Sequence, residues 1–219
     1  MKLPDTLPAR MYLLAYQPSR GRHVQRTDLG LILRAAALVE LLQRGLLVDG
    51  GGKGSGEGEG SGTARPGSPA PAGLDPVLAG VLDQIEGSRP RRWEHWVRTG
   101  DRATARAVRD QLVADGTLDL EERRVLGLFP ALRPVPRDPA VREHLLTAFA
   151  AALDGPLPQV EPWQAAMVTL AAEGRLHNVL AFRRRRELRD RIKELAQSAG
   201  PVPKALRRAL DARHSSQGG

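Results

Sequence analysis

Three arginines, Arg102, Arg106 and Arg109, stand four and three residues apart and would form one stripe on a helix. A guanidinium group presents a planar fork of donors that matches the oxygens of a phosphate, so such a stripe can serve as an anion-binding edge. The same arrangement fits an ordinary solvated face, because aspartates such as Asp101 and Asp110 accompany the arginines. Spacing alone leaves both interpretations open.

A denser basic run occurs near the end of the chain, where the segment FRRRRELRDRIKELAQ contains four consecutive arginines, 183–186. Acidic residues return in the following turns, beginning with Glu187 and Asp190. This alternation is typical of an exposed helix face that carries its own ion pairs. We interpret the segment as a solvated helix.

The segment TLDLEERRVLGLF predicts two short strands joined by a charged turn, which together form a β-hairpin. A proline-rich stretch follows and should end the second strand. Leu126, Leu128 and Phe129 form an apolar group beside the charged turn. Such a group packs within its own domain or enters the interface of a lipid bilayer. The hairpin is therefore a candidate membrane contact.

Catalytic and metal-binding patterns are missing from the sequence. In GGGKGS, the glycine after Lys53 breaks the spacing of a phosphate-binding loop. The five histidines do not fall into a metal-ligand pattern such as H-E-x-x-H, and no G-x-S-x-G elbow appears. We therefore expect no catalytic residues, no metal and no cofactor, in a protein that is not an enzyme.

The composition predicts a helical, basic protein of the cytoplasm. Of the 219 residues, 41% are hydrophobic but only 4% are aromatic, so the apolar material is mostly helix-forming. The lack of cysteine fits a reducing compartment, and the first residues lack the apolar run of a signal peptide. A net charge of +8 and an isoelectric point near 10.8 indicate a surface that attracts phosphates, on nucleic acid or on anionic lipid.

The stretch LRAAALVELLQRGLL predicts the central element of the fold. Asp28 is placed to cap it and Gly45 to end it, which gives a helix from Leu29 to Arg44 that is apolar on almost every side. This helix is too short and too charged to span a membrane, so it should be buried. Glu40 within it then needs partners, and we expect it to accept from Arg44 or from backbone donors of a neighbouring element.

The remaining pattern predicts a single, mainly α-helical domain with a small β-hairpin. Apolar spacing, glycines and prolines delimit further helices over about 77–85 and 102–115, and others after Asp138 and Pro162. The stretch at about 50–73 is rich in Gly, Ser and Pro and is expected to be disordered, because it lacks residues that form a core. The domain is expected to cover residues 1–211, followed by a disordered tail at 212–219.

Taken together, these segments resemble the Golgi phosphoprotein 3 family, which includes the yeast vacuolar sorting homologue. The most specific match is LRAAALVELLQRGLL, which looks like the central helix of the family. The segments GLDPVLAGVLDQIEGSRPRRWEHWVRTG, VRDQLVADGTLDLEERRVLGLF and WQAAMVTLAAEGRLHNVL follow in the family's order, so the resemblance covers about residues 7–180. The richness in Ala, Gly and Arg indicates a bacterial, actinobacterial-like member.

The resemblance implies a peripheral membrane protein that binds phosphatidylinositol 4-phosphate and recruits client proteins. The family's headgroup pocket combines a Trp before the central helix, the Arg that heads this helix, and two Arg three residues apart on the helix before the hairpin. The heading Arg is Arg34 and the first of the pair is Arg102, whereas the second falls on Ala105, beside Arg106. Arg26 lies in the loop that lacks the Trp, so the implied cationic pocket contains Arg34, Arg102, Arg106 and Arg26. We expect Arg34 to reach the surface from the first turns of its helix.

Two other functions stay open. A helix leading into a hairpin on a basic protein is also typical of a winged-helix-like nucleic-acid-binding module. A client adaptor without lipid affinity is the second, since the family's Trp is missing. The resemblance places the protein in the cytoplasm at the cytosolic face of a membrane, which in a bacterium is the inner face of the cell envelope. The expected partners are an anionic lipid, a phosphoinositide, and client proteins, and self-association into a homo-oligomer stays open.

Overall fold

The computed structural model describes residues 3–17, 22–23, 28–51, 62–125 and 129–216. Most of these residues are helical and the sheets among them are small and antiparallel, so the predicted mainly α-helical class with a small hairpin is confirmed. The helices are α1 (Leu7–Ala15), α2 (Leu29–Gln43), α3 (Pro76–Glu86), α4 (Trp93–Arg98), α5 (Asp101–Ala114), α6 (Pro139–Asp154), α7 (Pro162–Glu173), α8 (Phe182–Glu187), α9 (Arg189–Leu195) and α10 (Val202–Ser215). The strands are β1 (Tyr16–Gln17), β2 (Arg22–His23), β3 (Leu47–Asp49), β4 (Thr63–Pro66), β5 (Arg91–Arg92), β6 (Leu118–Val125) and β7 (Phe129–Pro136).

Helix α2 lies at the centre of the fold. It contacts α1, α3, α4, α5, α7 and α10, and every residue from Leu29 to Leu41 is buried. The predicted helix is confirmed, with Gln43 as its last residue and Arg44 as its C-cap. Because neighbours surround it, an apolar residue is favoured at nearly every position. Within the described residues, none of the helices is long and apolar enough to cross a bilayer.

Glu40 obtains both of the partners expected for it. One carboxylate oxygen accepts from the backbone N–H of Leu7 at 2.7 Å, and the other accepts from Arg44, four residues on. The N–H of Leu7 lies in the first turn of α1, where N–H groups have no acceptor within their own helix. Thr6, at the N-cap of α1, makes no capping bond with its side chain. The buried carboxylate of α2 therefore caps α1.

The hairpin differs from its predicted form. Strands β6 and β7 pair from Leu118 opposite Pro136 to Val125 opposite Phe129, so the charged residues 121–124 lie inside β6 and the prolines inside β7. The predicted positions of the turn and of the second strand's end are therefore wrong. The prolines are tolerated because they occupy even-numbered positions. The N–H of the odd-numbered Arg137 donates to the carbonyl of Thr117, the residue before β6. N–H groups at even positions of β7 therefore point away from β6, and the prolines remove none of the bonds between the strands.

Two segments predicted to be disordered contain regular structure. Strand β4 lies between β3 and β5, and the N–H of Gly67 donates to the carbonyl of Leu46 at 2.8 Å. The prediction of disorder over 50–73 is therefore wrong at Thr63–Pro66, whereas residues 52–61 lie outside the described residues. Helix α10 includes residues 212–215 of the predicted tail, and the prediction is wrong there too, while 217–219 lie outside the described residues.

Candidate anion-binding site

The N-terminal ends of α2 and α5 meet at one end of the fold. Gly30 lies against the backbone of Asp101, since a β-carbon on Gly30 would lie 2.9 Å from the carbonyl oxygen of Asp101. Gly100, with a φ of 72°, adopts the left-handed conformation that starts α5 directly after α4. This close approach places the first turn of α5, which contains Arg102, beside the first turn of α2.

Arg34 lies beneath this junction. Its side chain is 1% exposed. Its Nε donates to the carbonyl of Trp96 at 3.0 Å, Nη1 to the hydroxyl of Thr104 at 3.4 Å and Nη2 to Oε1 of Gln84 at 2.9 Å. The expectation that Arg34 reaches the surface is therefore wrong, because acceptors on α3, α4 and α5 hold its guanidinium group inside the protein.

The charge of Arg34 persists in spite of its burial. Desolvation lowers the pKa of Arg34 to about 10, and the nearby carboxylate of Asp101 opposes this shift. Because this pKa lies well above 7, the guanidinium group stays charged in neutral solution. The cost of burying the charge is constant below pH 10 or so and is relieved only as the pH rises through the pKa. The titration of Arg34 therefore adds no pH dependence to stability in the neutral range.

Arg102 and Arg106 are exposed on the first two turns of α5. They lie four residues apart and are neighbours on the helix surface. Neither forms a hydrogen bond or an ion pair with a residue that the structure describes. Arg109 differs, because its Nη2 lies 2.6 Å from Oδ1 of Asp110. The predicted stripe is thus two exposed cations followed by an ion pair.

A network of polar contacts from α10 closes the junction. Nη2 of Arg213 lies 2.7 Å from Oδ2 of Asp101, and Nε2 of His214 lies 2.9 Å from Oδ2 of Asp28. The network neutralises the carboxylate that precedes Arg102. Arg213 and His214 were not predicted as site residues, because residues 212–219 were assigned to a disordered tail. The signal was the amphipathic pattern of 202–215, which ends in two basic residues. The described residues contain no group of three or more His, Asp or Glu that could hold a metal ion.

Several predicted site residues cannot be placed beside this junction. Arg26, Leu126 and Leu128 lie outside the described residues. Phe129 begins β7 opposite Val125, and its description is confined to the backbone. The roles assigned to these residues stay predictions.

Apolar side chains nearer the base of the hairpin were missed. Leu120 and Leu132 are 43% and 63% exposed. Leu120 pairs with Pro134 and Leu132 with Glu122, so the register places both leucines on one face of the hairpin. From the sequence, Leu132 was assigned to an irregular proline-rich stretch, so this face was not predicted.

Gly30→Ala tests the close approach of α2 and α5. The new methyl group would press on the backbone of Asp101, so we expect the free energy of unfolding to fall by about 1–3 kcal/mol. Gly80→Ala is the matched control. Gly80 also lies inside a helix, but a β-carbon there meets no atom within 4 Å, so this change should stabilise the protein by up to about 1 kcal/mol. Equal thermal unfolding midpoints for the two variants would contradict the close approach.

Comparison with known proteins identifies the family of the chain. The Golgi phosphoprotein 3 (GPP34) family matches residues 7–213, and the comparison with curated proteins gave no match. The matched region runs from the first residue of α1 into the last turn of α10, so it contains the junction with Arg34, Arg102 and Arg213. Because the match covers nearly the whole chain, this protein belongs to the Golgi phosphoprotein 3 family.

Proposed function

We propose that this protein is a peripheral membrane protein that binds the phosphorylated headgroup of a phosphoinositide, such as phosphatidylinositol 4-phosphate, and acts as an adaptor for client proteins. The main support is the pair of exposed guanidinium groups, Arg102 and Arg106, which lack a partner among the described residues. Two adjacent guanidinium groups can share the oxygens of one phosphate. The family resemblance supports the same ligand.

The surroundings of Arg102 favour an anion. The first turn of α5, a helix of 14 residues, has backbone N–H groups and a partial positive charge at its N-terminal end. The acidic residue in this turn, Asp101, is bound by Arg213 and does not compete fully for Arg102. Arg34 acts as a positioning residue, because its bonds to Trp96 and Thr104 hold the turn that presents Arg102.

The hairpin supports a contact with a bilayer. Nη2 of Arg133 in β7 donates to Oη of Tyr16, which directly follows α1, at 2.9 Å, so the hairpin is attached to the body of the protein. The exposed face with Leu120 and Leu132 offers apolar surface that a bilayer interface can cover. The predicted membrane-inserting residues Leu126, Leu128 and Phe129 would extend this surface. We propose that headgroup binding and hairpin contact act together.

Removing both exposed cations tests the headgroup site. A cation near an anionic surface contributes about 1 kcal/mol, so Arg102→Gln with Arg106→Gln should weaken binding to phosphoinositide vesicles roughly 30-fold. The measurement is a flotation titration on phosphatidylcholine vesicles that contain phosphatidylinositol 4-phosphate, compared with vesicles that contain phosphatidylserine at equal surface charge. The wild type should prefer the phosphoinositide vesicles, and the variant should lose this preference.

The control is Arg65→Gln with Arg207→Gln, which removes the same charge from other exposed positions. Arg65 lies on β4, which pairs with the strand after the C-terminal end of α2, and Arg207 lies in the first half of α10. This variant should bind almost as the wild type does. A headgroup preference that survives in the Arg102 and Arg106 variant would overturn the proposal. Tight binding to duplex DNA without vesicle binding would favour the nucleic-acid function instead.

A further inference from the structure

Helix α8 and the start of α9 form a strongly basic surface segment. Residues 182–194 contain seven Arg or Lys and three Asp or Glu, so this short segment holds much of the chain's net charge of +8. The segment begins with Phe182, which is 62% exposed, beside Arg183, whose side chain is 93% exposed. No residue of α8 is buried. An exposed aromatic side chain beside arginines is not explained by packing within the protein.

The two sides of α8 have different partners. Arg184 lies 3.2 Å from Asp154 and Arg185 lies 3.5 Å from Glu173, so these adjacent arginines attach α8 to the ends of α6 and α7. At 100° per residue, Phe182, Arg183 and Arg186 lie on the opposite side of the helix. Arg186 has no hydrogen bond or ion pair with a described residue, whereas Arg183 pairs with Glu187. The outward side therefore combines an apolar ring with cations.

Helix α9 holds this surface in place. Ile192 and Leu195 are buried in the core. Arg191 donates to the carbonyl oxygens of Ala152 and Gly155, at the C-terminal end of α6. These contacts fix the segment after α8, so its outward side is presented by a supported element rather than by a loose tail.

A series of contacts links α8 to the proposed headgroup site. Arg185 binds Glu173, the last residue of α7. Nη1 of Arg175, two residues further on, lies 3.5 Å from Nδ1 of His214. His214 binds Asp28 at the start of α2. This chain of contacts joins α8 to the junction that presents Arg102 and Arg106.

We infer that the outward side of α8 is a second membrane contact, in which Phe182 enters the interface of an anionic bilayer and Arg183 and Arg186 meet lipid phosphates. This inference rests on the proposed membrane function. The opposite charges of the segment and of an anionic bilayer favour this occupant, and the exposed ring gives it an apolar component that contact with a nucleic-acid backbone does not require. The contact is independent of headgroup type, because arginines on an open helix surface respond to surface charge.

The test separates the two contacts by lipid composition. Arg183→Gln with Arg186→Gln should weaken binding to phosphatidylserine vesicles roughly 30-fold at low salt, since each cation contributes about fivefold. The ratio of phosphoinositide binding to phosphatidylserine binding at equal surface charge should stay as in the wild type. In the Arg102 and Arg106 variant, by contrast, this ratio should fall. The two variants therefore test the headgroup site and the α8 contact separately.

Phe182→Trp provides a direct readout of insertion. Trp93 and Trp96 are 1% and 2% exposed, and the partly buried Trp163 is present in the wild type as well, so quenching by brominated lipid above the wild-type level should come from position 182. Quenching above the wild-type level in phosphatidylserine vesicles supports the inference. The inference would be overturned if the arginine substitutions left vesicle binding unchanged or if no extra quenching appeared. It would also be overturned if the arginine variant lost binding to duplex DNA but not to vesicles. The Arg65→Gln, Arg207→Gln protein is again the control for charge.

Discussion

Replacing Arg34 with alanine is expected to lower the free energy of unfolding by about 3–5 kcal/mol. The change removes the donors to the carbonyl of Trp96 and to the hydroxyl of Thr104, both of which are buried residues, and it leaves a cavity where a long side chain is 1% exposed. Buried acceptors without a donor and an unfilled cavity both destabilise a fold. In a protein of this size the loss corresponds to a fall of roughly 6–20 °C in the unfolding midpoint, which calorimetry measures.

Two companion variants separate the causes of this loss. Arg34→Met keeps much of the side-chain volume and removes the donors, so its midpoint should lie between those of the wild type and Arg34→Ala. Arg102→Ala changes an exposed arginine without a described partner, and its stability should stay within about 0.5 kcal/mol of the wild type. Equal midpoints for Arg34→Ala and Arg102→Ala would show that Arg34 is not an internal support of the junction.

Replacing Glu40 with alanine is expected to cost about 2–4 kcal/mol. The carboxylate accepts from the buried N–H of Leu7 at 2.7 Å and pairs with Arg44, so its removal leaves a donor of α1 without a partner. It also affects Arg10, whose pKa is lowered by burial and raised by Glu40. Denaturant unfolding gives the change in free energy, and amide hydrogen exchange should show faster opening of the first turn of α1.

Glu40→Gln is the control for this effect. The amide keeps one oxygen that can accept from Leu7 but loses the negative charge, so the expected cost is about 1–2 kcal/mol. Faster exchange in the first turn of α1 should then be largely absent. If the alanine variant exchanges there as slowly as the wild type, Glu40 does not cap α1.

Local patterns account for the features that were predicted well. The apolar residues of α2, the glycine that follows it and the Glu40–Arg44 pair all lie within one short segment of the chain. Periodicity and capping rules therefore identify them directly. Arg102 and Arg106 share a helix, and their exposure also follows from spacing. The second strand of the hairpin was not predicted in full, because prolines normally end a strand. Only the register between the two strands shows that all of these prolines lie at positions whose N–H groups point away from β6.

The amino-acid sequence alone establishes the helical class, the central helix, the basic character and the family resemblance, because each depends on composition or on short-range order. The burial of the Arg34 side chain depends on long-range contacts, since its three acceptors lie 50, 62 and 70 residues away in the chain. The hydrogen-bond partners of Asp28 and Asp101 likewise come from α10, 186 and 112 residues away in the chain. A helical pattern shows which side chains share a face, but the neighbours that cover that face come from distant segments. Burial therefore makes Arg34 a support of the junction and leaves Arg102 and Arg106 at its surface.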